Sequence, residues 1–132
     1  MPLPAANSNS TVLAVDTHIV LVPTPGGPVP TPLPHPFNGR LDGGLITSVK
    51  LNGQPAAVVG STATNSPAHI PTPPGTAFQK PPANQGTAFM GSTTVLIGGK
   101  AAARQGDPVT TCNDPADLPV GQIMAVGTVL IG

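Results

Sequence analysis

The chain has no tryptophan, no tyrosine and only three phenylalanines in 132 residues, and its five Lys and Arg are balanced by five Asp. Nucleic-acid grooves need clustered cations for phosphate and aromatic faces for bases. Neither is present, so a nucleic-acid partner is not expected. There is no glutamate, which removes paired-Glu hydrolysis and the H-E-x-x-H metalloprotease pattern. One cysteine forbids an internal disulfide. No apolar run approaches the roughly 20 residues that span a bilayer, so stable membrane insertion is not expected. The start, Met-Pro-Leu-Pro-Ala-Ala-Asn, lacks the basic segment and apolar core of a secretory signal, which points to synthesis and folding in the cytoplasm.

What the chain has instead is 16 glycines and 19 prolines. Both oppose helix interiors, so a helical bundle is excluded and an all-β, turn-rich domain remains. That composition is common in disordered chains, but an apolar content of 39% with little charge and an internal period argue for a fold. A core built so largely of Pro, Gly and Ala is small, and it calls for a staple such as a metal or a partner.

The period centres on Ser92–Asp107. Val95-Leu96-Ile97 reads as a short strand and Gly98-Gly99 as a tight hairpin turn. Val49–Ser61 repeats this pattern 46 residues earlier: Val49 falls on Val95, Leu51 on Ile97, Gly53 on Gly99 and Ala56-Ala57 on Ala102-Ala103. Gly127–Gly132 is a shorter third echo. Residues 1–10 read as a flexible lead and 11–132 as one domain. Thr11–Val15 and Ile19–Val22 read as two apolar runs around Asp16-Thr17-His18. Asn38-Gly39 and Asp42-Gly43-Gly44 read as turns, and Pro115–Leu118 as a single helical turn. Pro23–Pro36 holds seven prolines and is either a polyproline recognition segment or an extended strand; the bracketing His18 and His35 favour the strand.

The only histidines are His18, His35 and His69, and the only cysteine is Cys112. Three imidazoles and one thiolate make a closed tetrahedral zinc site. The plain alternative is three unrelated histidines and a buried thiol. No nucleophile–histidine–carboxylate arrangement stands out, so no enzyme is expected. Arg104 either contacts a partner or bonds carbonyls at a turn.

The Gly-x-Pro/Ala-Ala-Ala units, the Asp-x-His and the later His and Cys resemble the PAAR-repeat family, across about residues 11–132. Pro55-Ala56-Ala57-Val58 lacks the arginine of the motif, and Ala101-Ala102-Ala103-Arg104 lacks the proline. The resemblance implies a small β-helix-like cone of short strands with a pseudo-threefold base. Such a domain caps the trimeric β-helical spike, of valine-glycine-repeat type, in a type VI secretion or phage-tail-like machine, one tip per trimer. It implies one structural Zn2+ on His18, His35, His69 and Cys112, a non-enzymatic puncturing role, effector attachment, and delivery outside the cell. A fused effector is not expected within these residues. Val49, Leu51, Val95, Ile97, Val129 and Ile131 are the base candidates, facing the partner or packed behind it. The alternatives are a proline-rich interaction module and a small zinc enzyme or carrier.

Overall fold

The computed structural model describes residues 2–132 and, among them, no helix. The strands in order are β1 (Leu3–Pro4), β2 (Thr11–Val22), β3 (Val29–Gly43), β4 (Ile46–Leu51), β5 (Gln54–Ala56), β6 (Thr62–Asn65) and β7 (Ala77–Phe78). They continue as β8 (Gln85–Ala88), β9 (Leu96–Ile97), β10 (Lys100–Ala101), β11 (Pro108–Thr111), β12 (Leu118–Met124) and β13 (Leu130–Ile131). The all-β expectation holds. Pro115–Leu118 is a bend running into β12, with no helical turn.

Six strands close into an antiparallel barrel in the order β12-β11-β8-β6-β3-β2, with β2 returning to β12. Within the barrel each strand is paired on both edges, while the β2–β3 ribbon runs on beyond it with the outer edge of β3 unpaired by any strand. The two apolar runs read from the sequence are one strand, because Asp16 and His18 share the inward phase of Val12 and Val20 and are buried with them. Of the proline-rich segment Pro23–Pro36, the part from Val29 is strand β3, paired with β2 from Val22↔Val29 to Thr11↔Arg40, and residues 23–28 are the hairpin connection before it. Pro30, Pro32, Pro34 and Pro36 recur at every second residue, so all four missing N–H groups fall on one edge of the strand. The residues opposite them spend their own backbone groups on the other side of β2: Ile19 O accepts from Gln79 N and Leu21 O from Thr76 N, both at 2.9 Å. Asn38-Gly39 is not a turn but strand interior. Gly39 lets Thr64 and Phe37 come close, since a Cβ there would lie 2.6 Å from Thr64 O and 3.0 Å from the Phe37 ring.

Below the barrel stand three two-stranded units: β4–β5, β9–β10 and β1–β13. The turns of the first two, Asn52-Gly53 and Gly98-Gly99, have φ values of 53° and 82°, and 61° and 80°. Two successive positive φ values make the type I′ hairpin, which glycine and asparagine tolerate. The third unit joins strands from opposite ends of the sequence, with Leu3 opposite Ile131 and Pro4 opposite Leu130. The reading of residues 1–10 as a flexible lead is therefore corrected for the described residues; Met1 lies outside them. Pro4-Ala5-Ala6-Asn7 is a third motif copy, with Ala5, Ala6 and Asn7 buried.

A closed ring of backbone hydrogen bonds ties the three copies. Ala6 N donates to Ala103 O (2.9 Å), Ala103 N to Ala57 O (3.0 Å) and Ala57 N to Ala6 O (3.1 Å). A second ring repeats the rule: Ser8 N to Pro55 O, Val59 N to Ala101 O and Gln105 N to Pro4 O, at 3.1, 2.9 and 2.9 Å. Each copy is also closed by one side chain on its own backbone: Ser10 on Asn7 N, Ser61 on Val58 N and Asp107 on Arg104 N. Only alanine-sized side chains fit where three backbones converge so closely. Leu51, Ile97 and Ile131 fill the centre of this base, and Val49, Val95 and Val129 pack half-buried against them.

Candidate metal centre

Alternation on β2 sends Asp16 and His18 into the barrel, and register sets His35 of β3 directly opposite Asp16. His69 comes from the loop after β6, and Thr111 and Cys112 from the end of β11. Phe37 lies on one side, its ring 6.2 Å from that of His69. Phe78 lies on the other, 5.8 Å from His18 and 5.3 Å from His35. The cluster is thus a buried polar plug between two phenylalanines.

Asp16 is its hub. Its Oδ2 is 2.9 Å from His69 Nε2 and accepts from Cys112 Sγ at 3.5 Å, while Oδ1 accepts from the Thr111 hydroxyl. Donor atoms of Asp16, His18, His69 and Cys112 all lie within 4.8 Å of one another. His18, His69 and Cys112 are thus brought together as the sequence suggested, with Asp16 added. The signal for Asp16 was its place two residues before His18 on a strand.

His35 is adjacent but differently engaged. The three imidazoles form a near-regular triangle, with ring centroids 5.0, 5.4 and 5.6 Å apart. Yet His35 Nδ1 donates to Leu33 O at 2.9 Å and Nε2 accepts from Thr72 N at 3.1 Å. The position that the ligand set gave to His35 is held, among donor atoms already gathered, by Asp16. Burial pushes the His35 pKa below its usual 6.5, against the opposing effect of the Leu33 carbonyl. Burial, and after it the Asp16 carboxylate, pushes the Cys112 thiol up.

His18 is the anomaly. Both its ring nitrogens are buried with no hydrogen-bond partner among the described residues. An unsatisfied buried polar group costs about 1–3 kcal/mol, and the usual remedy is a ligand. Two imidazoles, a thiol and a carboxylate are a donor set that suits zinc and its neighbours in the periodic table. The residues fit a metal ion, and this buried group could hold one.

The model of the PAAR motif matches residues 22–115, more than half of the chain. The chain belongs to the PAAR motif family. No curated protein and no solved structure matches it. The matched PAAR stretch contains His35, His69 and Cys112, while Asp16, His18 and the copy at Pro4–Asn7 lie before it. Arg104, in the copy Ala101-Ala102-Ala103-Arg104, holds its own unit together. Its guanidinium grips both Asp107 oxygens, at 3.1 and 3.0 Å, and reaches Gly132 O at 3.1 Å. Asp107 also raises the Arg104 pKa, mainly through that hydrogen bond.

The base candidates divide by depth. Leu51, Ile97 and Ile131 are buried core rather than contact surface, while Leu96 and Leu130, which the sequence reading passed over, are 67% and 56% exposed. Lys50 occupies their position in the first unit and is exposed too. A strand alternates its faces, so the residue beside each buried one points outward.

Proposed function

We propose that this PAAR chain is a non-enzymatic, zinc-stapled tip that caps the trimeric spike of a contractile injection system. The observation that carries the reading is the closed threefold ring through Ala6, Ala57 and Ala103. A single chain with a threefold base is matched in shape by a threefold partner, and a homotrimer is the simplest one. The barrel ends in a hairpin with prolines at 23, 25, 28 and 30, which lowers unfolded-state entropy and suits a part that must resist deformation. The polyproline-module alternative requires a free segment, whereas β3 is paired along its length.

Zinc would be held by His18, His69 and Cys112, with the fourth place contested by Asp16 and His35. Asp16 is already among the gathered donors, and the triangle of rings favours His35. Freeing His35 from Thr72 costs about 1 kcal/mol, small beside the ~10 kcal/mol or more of a structural zinc site. Two variants decide between them. If Asp16→Asn loses the metal and His35→Gln keeps it, the carboxylate is the ligand, and the opposite result assigns it to His35. Elemental analysis of chelator-free protein is expected to give one zinc per chain; well-folded protein without metal would end the staple reading.

A further inference from the structure

The loop Cys112-Asn113-Asp114 runs along the edge of β2 that β3 does not use, and grips it at three points. Asn113 Oδ1 accepts from Thr17 N at 2.6 Å, Asp114 N donates to Thr17 O at 2.8 Å, and Asp114 Oδ2 accepts from Ile19 N at 2.9 Å. Thr17 and Ile19 flank His18. The loop therefore fixes the strand on both sides of His18 relative to Cys112. The same Asp114 oxygen lies 3.4 Å from His18 Nδ1, with side chains 7% and 1% exposed.

We propose that Asp114 is a positioning residue for His18: its carboxylate accepts the Nδ1 proton and leaves Nε2 bare for the metal. The proposal rests on the metal reading above. A neutral imidazole ligates through one nitrogen only while the other keeps its proton, and an acceptor on that proton sets both tautomer and ring orientation. Ile19 N–H pins the carboxylate oxygen beside the ring. At 3.4 Å it is not yet hydrogen-bonded to Nδ1, and a small turn of the imidazole as Nε2 takes up the ion would close that bond. A ring otherwise without partners gains one on each side, which accounts for an imidazole that is buried yet unsatisfied. The cleft here, about 50 Å³, is lined by His18, Lys80, Cys112, Asp114 and Asp117 among others. Asp117 is exposed and serves as the control for charge alone.

The experiment is zinc competition against a chromophoric chelator for the wild type, Asp114→Asn and Asp117→Asn, with cobalt spectra of each. Asparagine can still accept from Ile19 N–H, so the fold is spared while the charge on the Nδ1 proton is lost. Asp114→Asn is expected to weaken zinc 10–100-fold and to alter the cobalt ligand-field bands; Asp117→Asn is expected to leave both unchanged. Equal losses in the two variants, or an Asp114→Asn affinity within twofold of wild type, would overturn the proposal. Should Asp114→Asn fail to fold, long-range 1H–15N spectra of the zinc-loaded wild type give the tautomer directly. A proton on His18 Nδ1 supports the proposal, and zinc on Nδ1 sinks it. Wild type that binds no zinc would instead defeat the metal reading itself.

Discussion

Cys112 is a poor acid in the metal-free protein, because burial first and the Asp16 carboxylate second disfavour its thiolate. An ion beside it reverses that balance, since a bound cation favours the thiolate and binding releases the proton. Cys112→Ser should therefore lose the zinc equivalent, and its melting temperature should fall by more than about 10 °C, the shift expected for a few kcal/mol in a domain of this size. Metal loss with unchanged melting, read by calorimetry and elemental analysis, would show that the site is not a staple. His35 carries a pH prediction for the metal-free protein. Its folded pKa lies below the 6.5 of the free side chain, chiefly through burial. The unfolded chain then binds more protons below about pH 6.5. Stability should be full above that value and should decline as pH falls through it towards the folded pKa. Urea unfolding between pH 7.5 and 5 checks the slope, and His35→Gln should flatten part of it. A slope unchanged by that substitution would remove His35 as its source.

At the scale of elements, the barrel and the base meet different demands from small residues. Gly39 sits where a Cβ would press on the Thr64 backbone carbonyl at 2.6 Å, and a paired strand cannot retreat from it. Gly39→Ala should destabilise by about 1–3 kcal/mol, the usual cost of overpacking. Gly26→Ala, at the hairpin tip with its nearest neighbour 3.9 Å away, should lie within about 0.5 kcal/mol of wild type. Chemical denaturation of the pair separates close approach from a general intolerance of added methyl groups. Two of the base units were legible in the sequence, because each hairpin is local and its turn carries Asn-Gly or Gly-Gly. The third was half legible. Gly127–Gly132 was read as an echo, but its partner strand is at the other end of the chain, with Leu3 opposite Ile131, and no local pattern signals such a pairing. Pro4-Ala5-Ala6 was a visible copy of Pro55-Ala56-Ala57, masked by its place at the start of the chain. The cluster was legible as an inventory of rare residue types. Asp16 was legible only through its place two residues before His18, and Asp114 was not legible, because only the fold tells which of the five aspartates face a histidine.

For the whole molecule, the proposed function raises the question of how an asymmetric chain would meet a symmetric partner. The backbone of the base obeys a threefold rule, but its outward side chains do so only in part: Leu96 and Leu130 are exposed where the first unit has Lys50. Exposure alone does not single these two out, since Ile70 and Val126 are more exposed; their equivalent places on two units of the base make them the residues that the proposed docking would cover. A trimeric spike offers the same patch three times, so two sectors would bury leucine and the third would seat a lysine stem along apolar surface with its charge kept in water. The expected stoichiometry is one PAAR chain to three spike chains, checked by native mass measurement of the reconstituted complex. Leu96→Asp with Leu130→Asp should weaken docking by at least tenfold while leaving the melting temperature of the free tip within about 2 °C, since exposed substitutions rarely shift stability by more than about 0.5 kcal/mol. Lys50→Leu should retain docking, because it only extends the apolar surface already present in the other two sectors. Ile97→Asp is the contrasting case. Its side chain belongs to the base core, so it should unfold the tip rather than merely release it. Three tips per trimer, or docking indifferent to both leucines, would mean that the base turns some other face to its partner.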